Sequence, residues 1–144
     1  MTTEAATKVR LHASCVSVKG RGLLILGPSG AGKSALALQL MALGAKLVAD
    51  DQTLVQRQAG RLTARCPKAI RGLIEARGIG ILRVKPVASA PLVLVVDLGQ
   101  SGHERLPPRE KIVLLGQEIE LVKAIQGNHF PAALLCYLTG SRQG

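Results

Sequence analysis

Eight consecutive residues, Gly27-Pro28-Ser29-Gly30-Ala31-Gly32-Lys33-Ser34, satisfy the pattern G-x-x-x-x-G-K-[ST] at every fixed position. Small residues in such a loop let backbone N–H groups turn inward and approach phosphate oxygens closely. A helix starting near Lys33 adds the partial positive charge of its N-terminus. Lys33 can then reach the terminal phosphates, and the Ser34 hydroxyl is suited to ligate Mg²⁺. A glycine-rich turn alone would be weak evidence. Here an apolar stretch precedes the loop and a helix-forming stretch follows it, as nucleotide binding requires.

A phosphate-binding loop does not name the phosphoryl acceptor, so the acids decide the chemistry. Asp50-Asp51 directly follow the short apolar segment Lys46–Ala49. An acid at a strand end beside the phosphates either holds Mg²⁺ or takes the proton of an attacking hydroxyl. The plainer alternative is that one of the pair caps the next turn. Asp97 ends the most apolar stretch of the chain and is the rival metal carboxylate. Glu75 lies in Ile74-Glu75-Ala76-Arg77-Gly78-Ile79-Gly80-Ile81, where two glycines around Ile79 imply unusual torsions or close backbone approach. As an isolated acid it also reads as a solvated partner of Arg77.

The elements that must position these groups follow from patterning. Residues 13–18 alternate as a strand, residues 19–22 read as a turn, and residues 23–26 as a buried strand. Residues 34–43 have the Ala/Leu content and spacing of a helix, with Gly44 as its terminating glycine. Lys46–Ala49 is a short strand. Residues 53–57 and 61–65 flank Ala59-Gly60 as a hairpin. Residues 81–84 and 92–96 are further strands, the second apolar enough to be central. Residues 112–115 and 119–122 form a hairpin around Gly116-Gln117, and residues 131–138 a closing helix. Consecutive hairpins point to a mixed sheet within an α/β class, with more strand than helix.

In order and spacing, His12-Ala13-Ser14, GPSGAGKS, Leu47-Val48-Ala49-Asp50-Asp51 and the segment from Ile74 to Ile81 together resemble the catalytic domain of bacterial HPr kinase/phosphorylase. The resemblance runs from about His12 to Ile119. It implies an α/β phosphate-loop nucleotide-binding domain with a mixed β-sheet, similar to HPr kinase and phosphoenolpyruvate carboxykinase. It further implies ATP held by Gly27, Pro28, Ser29, Gly30, Ala31, Gly32, Lys33 and Ser34, with Mg²⁺ on Ser34 and Glu75. Asp51, seventeen positions after Ser34, matches the acid that takes the acceptor serine's proton. His12 matches the family's active-site histidine, and Arg105 in His103-Glu104-Arg105-Leu106 its catalytic arginine. Ile74, Glu75, Ala76, Arg77, Gly78, Ile79 and Gly80 form the signature segment.

The resemblance also carries departures. Ala35 stands where the family commonly has glutamate, and Ala124-Ile125-Gln126-Gly127-Asn128-His129 replaces a basic, proline-bearing loop. That loop serves the reverse, phosphate-consuming reaction and subunit contacts, so neither phosphorolysis nor the usual hexamer is expected, and homo-oligomerisation is left open. The 1–144 chain reads as one catalytic domain without the N-terminal domain of long members. The expected function is an ATP-dependent serine kinase acting on an HPr-like phosphocarrier protein in the cytoplasm, similar to the short alphaproteobacterial type. The alternatives are a small-molecule phosphotransferase and a nucleotide-sensing signalling module.

Composition narrows the field further. The 144 residues carry 19 Lys and Arg against 9 Asp and Glu, a formal net charge of +10. Phe130 and Tyr137 are the only aromatics, which leaves no platform for stacking single-stranded bases. The basic residues are scattered, so nucleic acid is not an expected partner. No apolar run approaches the roughly 18 residues of a membrane span. Cys15, Cys66 and Cys136 match neither a disulfide framework nor a zinc pattern and read as reduced core thiols.

Overall fold

The computed structural model describes residues 7–143. In chain order the elements are β1 (Lys8–Leu11), β2 (Ser14–Val18), β3 (Arg21–Leu26), α1 (Lys33–Ala42), β4 (Lys46–Ala49), β5 (Thr53–Gln58), β6 (Arg61–Arg65) and a 3-10 turn at Lys68–Ile70. Then come β7 (Leu73–Ala76), β8 (Gly80–Arg83), β9 (Ser89–Ser101), β10 (Glu110–Leu114), β11 (Gln117–Ala124) and α2 (Phe130–Thr139).

Strand β9 organises the sheet. The stretch expected over 92–96 is a thirteen-residue strand, long enough to serve two sets of neighbours. Its first residues pair antiparallel with β6, which continues through β5 to β1. Its remainder runs parallel between β3 and β11. From β3 the sheet continues antiparallel to β2 and then β4, while β11 pairs with β10. The result is the mixed sheet expected from the hairpins, in the order β1-β5-β6-β9-β3-β2-β4 with β11 and β10 branching from β9.

Both faces of the central strands are covered, which explains their nearly continuous apolar runs. With the period of two, Val16, Leu23, Ile25, Leu94 and Val96 face one side and meet Leu36 and Leu40 of α1 and Leu134 and Leu138 of α2. Cys15, Leu24 and Val95 face the other, where Val55, Leu62 and Ala64 of the β5–β6 hairpin close over them.

Two strands escape the sequence reading. In β1, Lys8 and Arg10 alternate with Val9 and Leu11 in an edge strand too short and charged to register. Residues 73–76, given no element in the sequence reading, form β7 and pair with β8 in a separate two-stranded sheet packed on α1. Gly78 (φ 87°) and Gly80 (φ 139°) make its sharp reversal, so the unusual torsions expected around Ile79 are present. The cysteine expectation needs a correction. Cys15 is buried, but Cys66 is half-buried and Cys136 is exposed on α2, which turns that position away from the core.

Candidate active site

Three segments meet at one edge of the sheet because of strand direction. Strands β3 and β4 run the same way, each antiparallel to β2. Their carboxyl ends therefore lie beside the start of β2. The phosphate loop leaves β3 there, Asp50 and Asp51 leave β4, and His12 and Ser14 lead into β2. Sites in open α/β sheets form at this edge.

The loop 27–34 is shaped by Gly27, Gly30 and Gly32, all with positive φ, and Gly32 caps α1 in the left-handed region. Lys33 is almost buried and folds its ammonium back into the loop, donating to the carbonyls of Gly27 (2.8 Å) and Pro28 (3.2 Å). A cleft of about 600 Å³ opens in front, lined by Lys33, Ser34, His12, Asp51, Glu75 and Arg77 among others. The cleft thus gathers His12, Ser29, Gly30, Gly32, Lys33, Ser34, Asp51, Glu75, Ala76, Arg77 and Ile79 of the expected site residues, while Ile74 is buried in the core and Arg105 lies outside the lining.

The two aspartates separate into different environments. Asp51 takes a left-handed backbone (φ 68°), and the Gln52 N–H closes the turn onto the Asp50 carbonyl at 2.8 Å. Asp tolerates that region better than most residues, at some strain cost. The turn sends neighbouring side chains apart. Asp50 points inward and is 5% exposed; its Oδ1 accepts from both Ser14 Oγ and Ser34 Oγ at 2.7 Å, and its Oδ2 from the Glu75 N–H at 3.1 Å. Asp51 points outward, its Oδ1 3.0 Å from His12 Nε2, with both side chains more than half exposed. The reading of Asp50 as a turn cap is therefore replaced by a larger role: it ties the phosphate loop, β2 and β7 together.

The remaining acids fall as follows. Glu75 is exposed in the cleft, and no ion pair to Arg77 is present among the described residues. Asp97 spends its oxygens on its own strand end, accepting from Gly99 N–H and Gln100 Nε2 at 2.8 Å each, and does not line the cleft. Arg105 lies elsewhere, along a cavity bordered by α2. The segment 124–128, in place of the family's basic loop, borders a groove on the far flank of the phosphate loop, opposite Ala31 and Ala35.

Among the described residues no three His, Cys, Asp or Glu side chains cluster as a self-sufficient metal site. Mg²⁺ needs no such cage, since it takes one or two protein oxygens and completes its shell with phosphate and water. Ser34 gives its proton to Asp50, leaving its oxygen lone pairs available, and Glu75 adds a carboxylate in the same cleft. This donor set fits a hard divalent cation. Ser14 was quoted in the sequence only as part of a resemblance. Strand β2 is fully buried yet holds two hydroxyls, Ser14 and Ser17, and a hydroxyl in such a strand must find a partner inside.

A family model described as HPr Serine kinase C-terminal domain matches residues 3–95. The chain belongs to this family. It is 39% identical over 130 residues to an HPr kinase/phosphorylase of Azoarcus sp. (strain BH72), covering 81% of this chain and 42% of that protein. It is 46% identical over 132 residues to an HPr kinase/phosphorylase of Caldicellulosiruptor bescii, covering 85% and 41%. The chain thus spans less than half the length of these relatives. The structure is similar to the Hpr(Ser) kinase/phosphatase from Coxiella burnetii, with TM-score 0.74 and 24% identity over 88% of this chain and 91% of that one. That likeness agrees with the expected α/β fold of the HPr serine kinase family.

Proposed function

We propose that this chain transfers the γ-phosphoryl group of ATP to a serine hydroxyl of an HPr-like phosphocarrier protein. The observation that carries the reading is the Asp51 carboxylate. It is exposed to an incoming acceptor, held at 3.0 Å by His12, and faces the same cleft as Lys33 and Ser34. Phosphoryl transfer asks a protein mainly for positioning and charge neutralisation. Asp51 takes the serine proton as the serine oxygen bonds to the γ-phosphorus, and the bond from that phosphorus to its bridging oxygen breaks to release ADP. His12 holds the carboxylate in position for that proton. The backbone N–H groups of the loop and Lys33 balance the phosphate charge. Ser34 and Glu75 would hold Mg²⁺, which supplies further charge neutralisation when bound.

On this reading one catalytic domain carries the reaction, the protein works in the cytoplasm with its phosphocarrier, and the kinase direction dominates. The segment 124–129 contains no Lys or Arg for holding inorganic phosphate, which argues against phosphorolysis. Arg105 has no step assigned to it in this arrangement. The test is transfer of label from γ-labelled ATP to HPr, with phosphoamino-acid analysis, followed by addition of inorganic phosphate. Label on serine that persists after phosphate addition supports the reading. Absence of labelled HPr overturns it, and rapid loss of label on phosphate addition overturns the one-way assignment.

A further inference from the structure

Charge is sorted across the sheet. The β10–β11 hairpin pairs its cations, Arg109 with Glu120, Lys111 with Glu118 and Lys123 with Glu110. The other end of the sheet differs. Strands β1, β5 and β6 contain no acidic residue. Their register puts Lys8, Arg10, Arg61 and Arg65 on the face turned away from the core. All four are exposed, and none joins an ion pair found among the described residues. Arg10 and Arg65 flank Leu54 in one cross-strand row, about 10 Å apart. With Lys8 and Gln56 they wall a groove of about 380 Å³.

Cations on an edge strand guard against pairing with other chains, which accounts for Lys8 and Arg10 on β1. It does not account for Arg61 and Arg65, because β6 lies between β5 and β9. Like charges gathered on a sheet face repel one another, so folding does not explain them. Neither does ATP, since none of the four lines the nucleotide cleft. Yet this face begins at the site. Strand β1 runs into His12, and the Arg10 guanidinium donates to Gln52 Oε1 at 2.9 Å, one residue from Asp51.

An acceptor whose serine reaches Asp51 must lay its body on surface adjoining that residue. We propose that the acceptor protein docks on the outer face of β1, β5 and β6, presenting an acidic patch to Lys8, Arg10, Arg61 and Arg65. This rests on the reading of the chain as a protein serine kinase. Nucleic acid is the lesser match, since these strands carry no aromatic side chain for stacking and present no helix to a base groove. A membrane surface would ask for apolar groups among the cations, and only the half-buried Leu54 stands between them.

The test measures binding apart from transfer. A fluorescently labelled HPr-like carrier is titrated with the full chain at about 50 mM and about 500 mM salt, and phosphoryl transfer is measured on the same preparations. Arg61→Glu/Arg65→Glu is expected to weaken binding about tenfold at the lower salt, with the gap closing at the higher. It raises the KM for the carrier and leaves kcat and ATP affinity unchanged. The milder Arg61→Gln/Arg65→Gln gives a smaller loss in the same direction. Lys19→Glu/Lys46→Glu makes the same change in net charge at the far end of β2, and is expected to alter binding less than about twofold. Equal weakening by the two Glu double variants, no weakening by either, or no carrier binding by the wild type overturns the docking face. So does tighter binding of a random RNA duplex or of anionic vesicles than of the carrier, lost in Arg61→Glu/Arg65→Glu. Carrier binding that follows the expected pattern without any labelled serine supports the docking face and overturns the kinase reading. Labelled serine with a KM unmoved by Arg61→Glu/Arg65→Glu does the reverse.

Discussion

Asp50 and Asp51 are chemically identical neighbours whose roles are set by one backbone torsion. The left-handed turn at Asp51 leaves its carboxylate in the cleft with His12 and drives Asp50 into a closed set of three hydrogen bonds. Removing the Asp50 acceptor strands two buried or half-buried hydroxyls and one N–H. Asp50→Ala is therefore expected to lower the unfolding free energy in urea by about 2–4 kcal/mol. It should also loosen the phosphate loop, seen as weaker ATP binding in calorimetry. A loss below about 0.5 kcal/mol would mean that those donors find other partners. The sequence offered both aspartates as candidates but could not separate them, because the torsion that decides between them is fixed by the β2–β4 pairing and not by local residue type. Lys33, Ser34 and Glu75 were legible because spacing within a loop or signature survives without tertiary context. Asp97 was misleading for the converse reason: its position at a strand end is right, but a local turn consumes its oxygens.

Cys15 supplies a pH dependence of the same single-residue kind. Full burial pushes its thiol far above the ordinary value of 9.0. The folded state therefore keeps the proton after the unfolded state has released it. Stability from this group is fully present below about pH 9 and falls as pH rises above it, by at most about 1.4 kcal/mol per unit. Comparing urea unfolding of wild type and Cys15→Ala between neutral pH and pH 10 isolates this slope. The variant should show the shallower fall, and equal slopes would contradict the burial argument.

At the scale of elements, three hairpins share one device. Lys19-Gly20, Ala59-Gly60 and Leu115-Gly116 each place two successive residues at positive φ, as the tightest hairpin turns require. The glycine made each turn visible, although the last was expected at Gly116-Gln117 and lies one residue earlier, at Leu115-Gly116. The first residue is Lys, Ala or Leu, none of which favours the left-handed region. Ala59 is exposed, so Ala59→Asn relieves that strain without disturbing packing. It is expected to raise the unfolding free energy by about 0.5–1 kcal/mol, measured by thermal or urea unfolding, with no change in ATP affinity. The full length of β9 was not legible. Its apolar centre announced a buried strand, but Gly99, Gln100 and Ser101 continue it only because β11 lies alongside. Likewise β1 and β7 exist because partners are present, β5 for one and β8 for the other.

At the scale of the whole molecule, the charge of +10 and the near absence of aromatic rings now have a common explanation. Lys33 and Arg77 line a cleft suited to a polyanionic nucleotide, which needs no base-stacking platform in the loop itself. Under the proposed function, the excess that lies outside the cleft would speed encounter with an acidic acceptor protein, a rate effect that salt screens. The architecture serves that purpose by bringing three strand ends to one edge, with the nucleotide groups on the loop side and Asp51 on the acceptor side. The account's central claim is that Asp51 acts on the acceptor proton and does not hold the nucleotide. The direct measurement compares wild type with Asp51→Asn, recording ATP binding by calorimetry and labelled transfer to HPr serine on the same preparations. The account predicts ATP affinity within about twofold of wild type and transfer reduced by roughly 10²–10⁴-fold. Asp51→Asn transferring phosphate at the wild-type rate would contradict it.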